Sequence, residues 1–552
     1  MIPRMLILPA AALAVGILSP AHAALELDRL GSYESRVFDE SATEIAAYDP
    51  STRQVYVTNG NEDTVDIIDL TDPSAPAKTG SLRFDALPGH PGEFASNSVS
   101  LARGILAVSL EAPETGQSGL IAFYRACRPL ADCAEPLALV PAGFLPDAVA
   151  FSPDGTKVLS ANEGEASEVE DGAGLPAINP PGSFTLVEVA HRPFRVLRTT
   201  QLSFGAFEPG GAKALGPDMA TISAPRSARG APYVRIHPQA PSVAADLEPE
   251  YATFSPDGTL AYGTLQENNA VAVIDIRTRE VDRILPLGWK NHANPRNALD
   301  ANKNDGVARL ETQPFHGLFL PDAIAAYSVD GVPFLVTANE GDARDPADFG
   351  DYGDEIALEE IDLDDAVFPQ EDELRDGEGL GDKNVSRIDG NLDGDGQYEE
   401  IVIFGARSFS IWDARQGNLV FDSGSALEQI TAEALPGHFN ASNDDNSLDD
   451  RSDNKGPEPE ALALGILEGR TYAFIGLERV SGIVVYDISN PHRPQFVTYR
   501  NDRDFSLPVE EQEDLGPEGI VFVPAAHSPN GDPLLLVSSE VSGSLTVYGI
   551  RH

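Results

Sequence analysis

Two acidic arrangements in this sequence have the residue types and spacing to hold a cation. The first is compact: residues 389–400 read DGNLDGDGQYEE. The calcium-loop pattern D-x-[DN]-x-[DN]-G-x5-E is met by Asp389, Asn391, Asp393, Gly394 and Glu400. Displaced by two, Asn391, Asp393, Asp395, Gly396 and Glu399 give the spacing of calcium loops that join β-strands. The second register suits the sequence better, because the following EIVIFGARSFSIWD is strand-like and leaves no helix for an EF-hand. A metal-free turn is the competing reading.

The second arrangement is dispersed. Glu44, Asp147, Glu250, Asp322, Glu460 and Glu518 each stand at the start of a similar segment, with Asn97 or Ser98 in the equivalent place once. Glu163, Glu267, Glu340 and Glu540, with Glu111 and Glu478, stand where a second segment ends, several beside an Asn or Gln, and Asp342 follows shortly after Glu340. Carboxylates gathered at about 5 Å repel by about 3 kcal/mol per pair at an effective dielectric near 20. Gathered acids therefore hold cations or protons. Oxygen-rich ligands with amides among them point to calcium, or magnesium, ahead of zinc. Capping of backbone amides at strand ends is the alternative for such residues.

What gathers them is a repeat. Residues 151–165 read FSPDGTKVLSANEGE and residues 254–268 read FSPDGTLAYGTLQEN: an alternating strand, a Pro-Asp-Gly turn, a second strand and acids. Seven copies of this layout begin near residues 43, 96, 146, 249, 321, 459 and 517. Third strands follow as TVDIIDL, GLIAFY, SFTLVEV, AVAVIDI, SFSIWDA, GIVVYDI and SLTVYGI, and outer strands as in FRVLRTTQL and PQFVTYR. Seven units of four antiparallel strands describe an all-β fold, a seven-bladed β-propeller spanning residues 24–552. Unrelated β-sandwiches are the alternative. The last copy lacks an outer strand, and residues 25–33 are expected to supply it and close the ring. Because strand one starts where strand two ends, both sets of acids must face one rim. Stretches at about 164–246 and 342–400 exceed the repeat and read as insertions on one rim.

The charge balance, 87 acidic against 38 basic residues for a net −49, disfavours a nucleic acid or an anionic membrane as partner and favours cations. The bland alternative is a surface kept soluble by acids. Residues 1–23 combine Arg4, an apolar run and the Ala21-His22-Ala23 end of a secretory signal, so a secreted or periplasmic protein without a membrane anchor is expected. Cys127 and Cys133 are the two cysteines, and an oxidising compartment would let them close a small ring. No nucleophile elbow, zinc-protease helix, P-loop or dinucleotide fingerprint is present, and no catalytic residue is identified. Arg344 in NEGDARD and Arg407 in FGARSFS are the candidates for gripping an anion.

LPDAVAFSPDG…ANEGE, LPDAIAAYSVDG…VTANEGDARD, LDGDGQYEEIVIFGARSFSIWD, DNKGPEPEAL and LGPEGIVF together resemble the choice-of-anchor I domain proteins of bacterial surfaces and exported fractions, over nearly the whole chain after residue 23. That resemblance implies a seven-bladed propeller of the kind also seen in surface-layer and phytase-like proteins. Some relatives carry alkaline phosphatase labels or metallophosphatase domains. Two functions follow: a calcium-loaded propeller that binds a small-molecule or phosphorylated ligand, or a partner, at an acidic mouth, and a calcium- or metal-dependent phosphoesterase.

Overall fold

The computed structural model describes residues 25–169, 172–215, 232–377 and 379–551, so the expected signal segment lies outside the described residues. The repeated turn forms as its chemistry requires. In 152–156, Ser152 Oγ donates to Asp154 Oδ1, Thr156 N donates to the same oxygen, and Gly155 takes the left-handed corner at φ 66°. The same bonds recur at Ser255, Asp257 and Thr259. These turns lie at the end of each hairpin opposite the acids.

Seven four-stranded antiparallel sheets result. Their inner strands are Ala46–Asp49, Ala95–Ala102, Pro146–Phe151, Pro249–Phe254, Ile324–Val329, Pro459–Leu467 and Pro517–Val523. In the third sheet, for example, Lys157–Asn162, Ser183–His191 and Phe194–Ser203 follow outward in order. The last sheet is completed by Glu26–Glu34, which pairs antiparallel with Ser544–Arg551 from Glu26↔Arg551 to Glu34↔Ser544.

Strand alternation explains how the sheets pack. Leu535 and Val537 of Leu534–Ser539 pack against Phe474 and Val485 of the sixth sheet, while Leu534 and Leu536 pack against Val55 and Val57 of the first. Every neighbouring pair of sheets shares such a cluster, including the last with the first. Each sheet is thus buried on both faces, and its second and third strands read as nearly continuous apolar runs.

The connections from the second to the third strand, and from an outer strand to the next inner one, all emerge on the rim where the acids lie. The expected insertion 164–246 is split, because the third and fourth strands of the third blade occupy 183–203. The stretch between the second and third strands of the fifth blade builds its own layer. Glu355–Ala357 pairs with Asn384–Ser386, and Ile401–Ile403 runs parallel to Phe315–Leu318. Leu299, Phe315, Leu358, Leu363, Val385 and Ile401 give that layer a separate core. A helix, Ala426–Ala434, lies between the fifth and sixth blades. Cys127 and Cys133 are joined in a disulfide. No helix among the described residues is long and apolar enough to cross a membrane.

Candidate functional site: a carboxylate-lined channel mouth

The acids at the inner-strand starts are brought together on the axis. A cavity of about 170 Å³ is lined by Glu44, Asn97, Asp147, Tyr251, Asp322 and Glu518, one from every blade but the sixth. Glu460 supplies the sixth, since one carboxylate oxygen each of Asp322, Glu460 and Glu518 lie within 4.8 Å of one another. At three of these starts the preceding residue is left-handed, with φ 42° at Leu145, 42° at Leu320 and 47° at Glu458. That is a strained conformation for a residue with a Cβ, and it turns the chain sharply just ahead of the acid.

A second tier comes from the ends of the second strands. Glu340, Glu460 and Glu478 also bring carboxylate oxygens within 4.8 Å of one another. The amides beside these acids do not join them. Asn162 is fully buried and donates to Thr185 Oγ1 at 3.0 Å, Asn339 is fully buried and donates to Ser410 Oγ at 2.9 Å, and Asn59 donates to Asp66 at 3.0 Å. Successive residues of a strand face opposite ways, so the Asn ties the second strand to the third while the Glu turns to the channel. Gln266 is the exception and donates to Glu340 Oε2 at 2.7 Å.

Burial and mutual repulsion push these carboxyls up. Desolvation, helped by Glu540 and Asp147, raises Glu44 to about 8, and desolvation with Glu111 nearby raises Asp147 to about 7. Desolvation first, then like-charged neighbours, holds Glu163, Glu250, Asp322, Glu460 and Glu518 well above the usual carboxylate range. Burial also raises Glu267, to about 7 despite Arg344, and Glu340 and Glu540, despite Lys455 and Arg479 respectively. Buried oxygens of Glu250, Glu267, Glu460 and Glu478 accept no hydrogen bond. Buried acceptors are ordinarily satisfied, so such atoms point to a missing donor or cation.

Three basic residues flank the second tier only. Lys455 Nζ lies 3.1 Å from Glu340, 2.7 Å from Asp342 and 3.3 Å from Glu458. Arg479 pairs with Glu458 at 3.0 Å and Glu478 at 3.1 Å. Arg344 is 4% exposed, pairs with Glu248 and with Asp246 at 3.6 Å, and lies over the Tyr352 ring at 4.8 Å. The sequence reading did not include Glu248, Glu458, Lys455, Arg479 or Tyr251. Glu248 and Glu458 stand two residues ahead of Glu250 and Glu460 in E-P-E, which was the available signal.

Arg344 and Arg407, the two candidates for gripping an anion, are both buried among protein partners. Arg344 Nη2 is taken up by the carboxylates of Glu248 and Asp246. Arg407 is 1% exposed and donates to Glu428 at 2.8 Å and to the carbonyls of Ser452 and Asn454 at 2.7 Å each, which makes it a strut between loops.

In the compact loop, Asp393, Asp395 and Glu399 bring carboxylate oxygens within 4.8 Å of one another. Asn391 Oδ1 accepts from Gly394 N at 2.8 Å, and Gly394 and Gly396 are left-handed at φ 79° and 103°. Asp389 is set apart from them. It is fully buried, bonded by Tyr233 and Ser386, and paired with Arg235 at 2.8 Å. Glu400 is 6% exposed. The geometry gathers the acids of the second register, and Asp389 acts as an anchor for the loop.

Among known proteins, Gigasin-3a of Magallana gigas is 30% identical over 189 residues, which is 31% of this chain and 65% of that protein. A mesenchyme-specific cell surface glycoprotein of Strongylocentrotus purpuratus is 29% identical over 275 residues, 44% of this chain and 35% of that protein. The chain thus spans less than two thirds of either relative. Among solved structures, Kuenenia stuttgartiensis hydrazine synthase gives a TM-score of 0.42 at 12% identity, covering 92% of this chain and 96% of that one. The Myceliophteria thermophila Cps50 (Swd1) β-propeller domain gives 0.40 at 9% identity, covering 95% of this chain and 100% of that one. The choice-of-anchor I domain model matches residues 44–491, and the chain belongs to that family.

Proposed function

We propose that this protein is an exported β-propeller whose channel mouth binds calcium and, so loaded, binds a ligand or partner. The observation that carries the reading is the set of partnerless, buried carboxylate oxygens on Glu250, Glu267, Glu460 and Glu478 in a mouth where carboxylates stand within 4.8 Å of one another. One calcium takes six to eight oxygens at about 2.3–2.6 Å, so it spans such separations and replaces repulsion by attraction. Magnesium is the smaller alternative. The loop of Asn391, Asp393, Asp395 and Glu399 is a second, independent calcium candidate. Export is supported by the signal-like residues 1–23, by the disulfide and by a relative named a cell surface glycoprotein.

Calcium titration of the mature chain by calorimetry tests this. Saturable binding should persist in D393N/D395N at reduced stoichiometry and lose its mouth component in D322N/E460Q/E518Q. Wild-type binding in the latter would overturn the proposal. The phosphoesterase reading is favoured instead if the calcium-loaded chain turns over phosphomonoesters and chelator abolishes it.

A further inference from the structure

Glu460 belongs to both groups of converging carboxylates: with Asp322 and Glu518 on one side, and with Glu340 and Glu478 on the other. We propose that the mouth holds two divalent cations side by side, bridged by the Glu460 carboxylate. This rests on the reading that the mouth takes cations, and adds their number, their ligands and their coupling.

Three observations beyond the acidic cluster support it. Glu478 is 4% exposed, and while its Oε1 is met by Asn443 at 3.2 Å and Arg479 at 3.1 Å, its Oε2 has no partner. Glu460 likewise carries a buried Oε2 with no partner. Glu518 and Glu460 bring carboxylate oxygens within 4.8 Å of each other with no Lys or Arg among the described residues paired to either, a repulsive spacing that a shared cation or a shared proton relieves. A carboxylate bridge suits metal ions about 3.5–4 Å apart.

The two positions are unequal. The Asp322–Glu460–Glu518 group faces the axial cavity, and no Lys or Arg among the described residues forms an ion pair with any of its three carboxylates. The Glu340–Glu460–Glu478 group is flanked by Lys455 on Glu340 and Arg479 on Glu478. The first should therefore fill at lower calcium concentration. The second fills later, both because fixed positive charge opposes it and because the bridge already holds one ion.

The experiment uses the mature chain carrying D393N/D395N, so that only the mouth is counted. Calorimetry should give two calcium equivalents, with affinities differing by about tenfold or more. E518Q should remove the tighter one, E478Q the weaker one, and E460Q should weaken both by tenfold or more. Manganese(II) loaded in place of calcium should give an exchange-coupled spin-resonance signal in the parent. In E460Q any manganese still bound should show the hyperfine pattern of isolated ions. Melting in chelator checks that the Gln variants fold, and removal of a like charge should leave them no less stable than the parent.

One equivalent in the parent, loss of a single equivalent in E460Q, or uncoupled manganese in the parent overturns the bridge while leaving a cation-binding mouth. No binding in the parent overturns both readings. A shared proton in place of metal shows as a protonated-carboxyl infrared band at neutral pH that calcium does not remove, and that too overturns the bridge.

Discussion

Glu458 has no exposed surface and faces Arg451 at 2.7 Å, Arg479 at 3.0 Å and Lys455 at 3.3 Å. Burial alone would raise its carboxyl, but Lys455, Arg479 and Arg451 outweigh burial and hold it well below the usual range. Glu458→Gln leaves three cations without their common partner and should cost about 3–5 kcal/mol, read as a lower urea midpoint. The axial carboxylates act with the opposite sign. Glu44, at about 8, and Asp147, at about 7, bind protons in the folded chain that the unfolded chain has released by pH 5 or so. Between those pH values the folded state carries more protons, so stability falls as pH rises. In chelator the melting temperature should therefore drop from about pH 5 to about pH 8, and saturating calcium should flatten that slope. An unchanged slope with calcium would place the bound ion elsewhere. The sequence reading set the amides among the mouth ligands, although two-residue alternation was there to separate Asn162, which bonds Thr185, from Glu163. The flanking Lys455 and Arg479 were not legible, because nothing local marks which distant carboxylate a long side chain reaches.

At the scale of elements, the strand order was readable because each unit repeats its turn and its apolar runs. The closing strand Glu26–Glu34 followed from counting strands in the last unit. Leu25, at 1% exposure, and Leu27, at 4%, sit in the core shared by the sixth and seventh blades. Deleting residues 25–34 should open the backbone edge of Ser544–Arg551, lower the melting temperature and cause concentration-dependent association by light scattering. A deletion chain that melts as the parent does would mean that this strand adds nothing to the ring. Gly182 tests the mouth more locally. A Cβ there would collide with Leu247 O and meet Glu163 O at 2.8 Å, so Gly182→Ala must move backbone. Loss of about 1–3 kcal/mol or more, with weakened calcium binding, is expected. The helix Ala426–Ala434 was missed although Leu427, Ile430 and Ala434 stand at helical spacing, because it falls in a connection between two strand repeats and belongs to neither. The layer around Glu355–Ala357 was missed because its partners are far apart in the chain.

For the whole molecule, a net charge of −49 opposes compaction in two separable ways. Exposed carboxylates repel through water, and monovalent salt screens them over roughly 10 Å at 0.1 M. The mouth carboxylates are buried, and salt ions too dilute to bind cannot screen what they do not enter. Potassium chloride should therefore raise the melting temperature of the chelated chain modestly and without saturation. Calcium at a concentration contributing negligible ionic strength should raise it more and saturate. At a hundredfold excess over Kd each bound ion adds about 2.7 kcal/mol, so two ions outweigh the screening of many surface pairs, each worth about 1 kcal/mol or less. Calorimetric melts in matched ionic strength decide it. Equal shifts from potassium and calcium would mean that the charge acts only as a surface term, whereas a calcium shift that, in the D393N/D395N background, D322N/E460Q/E518Q abolishes locates it where the blades converge.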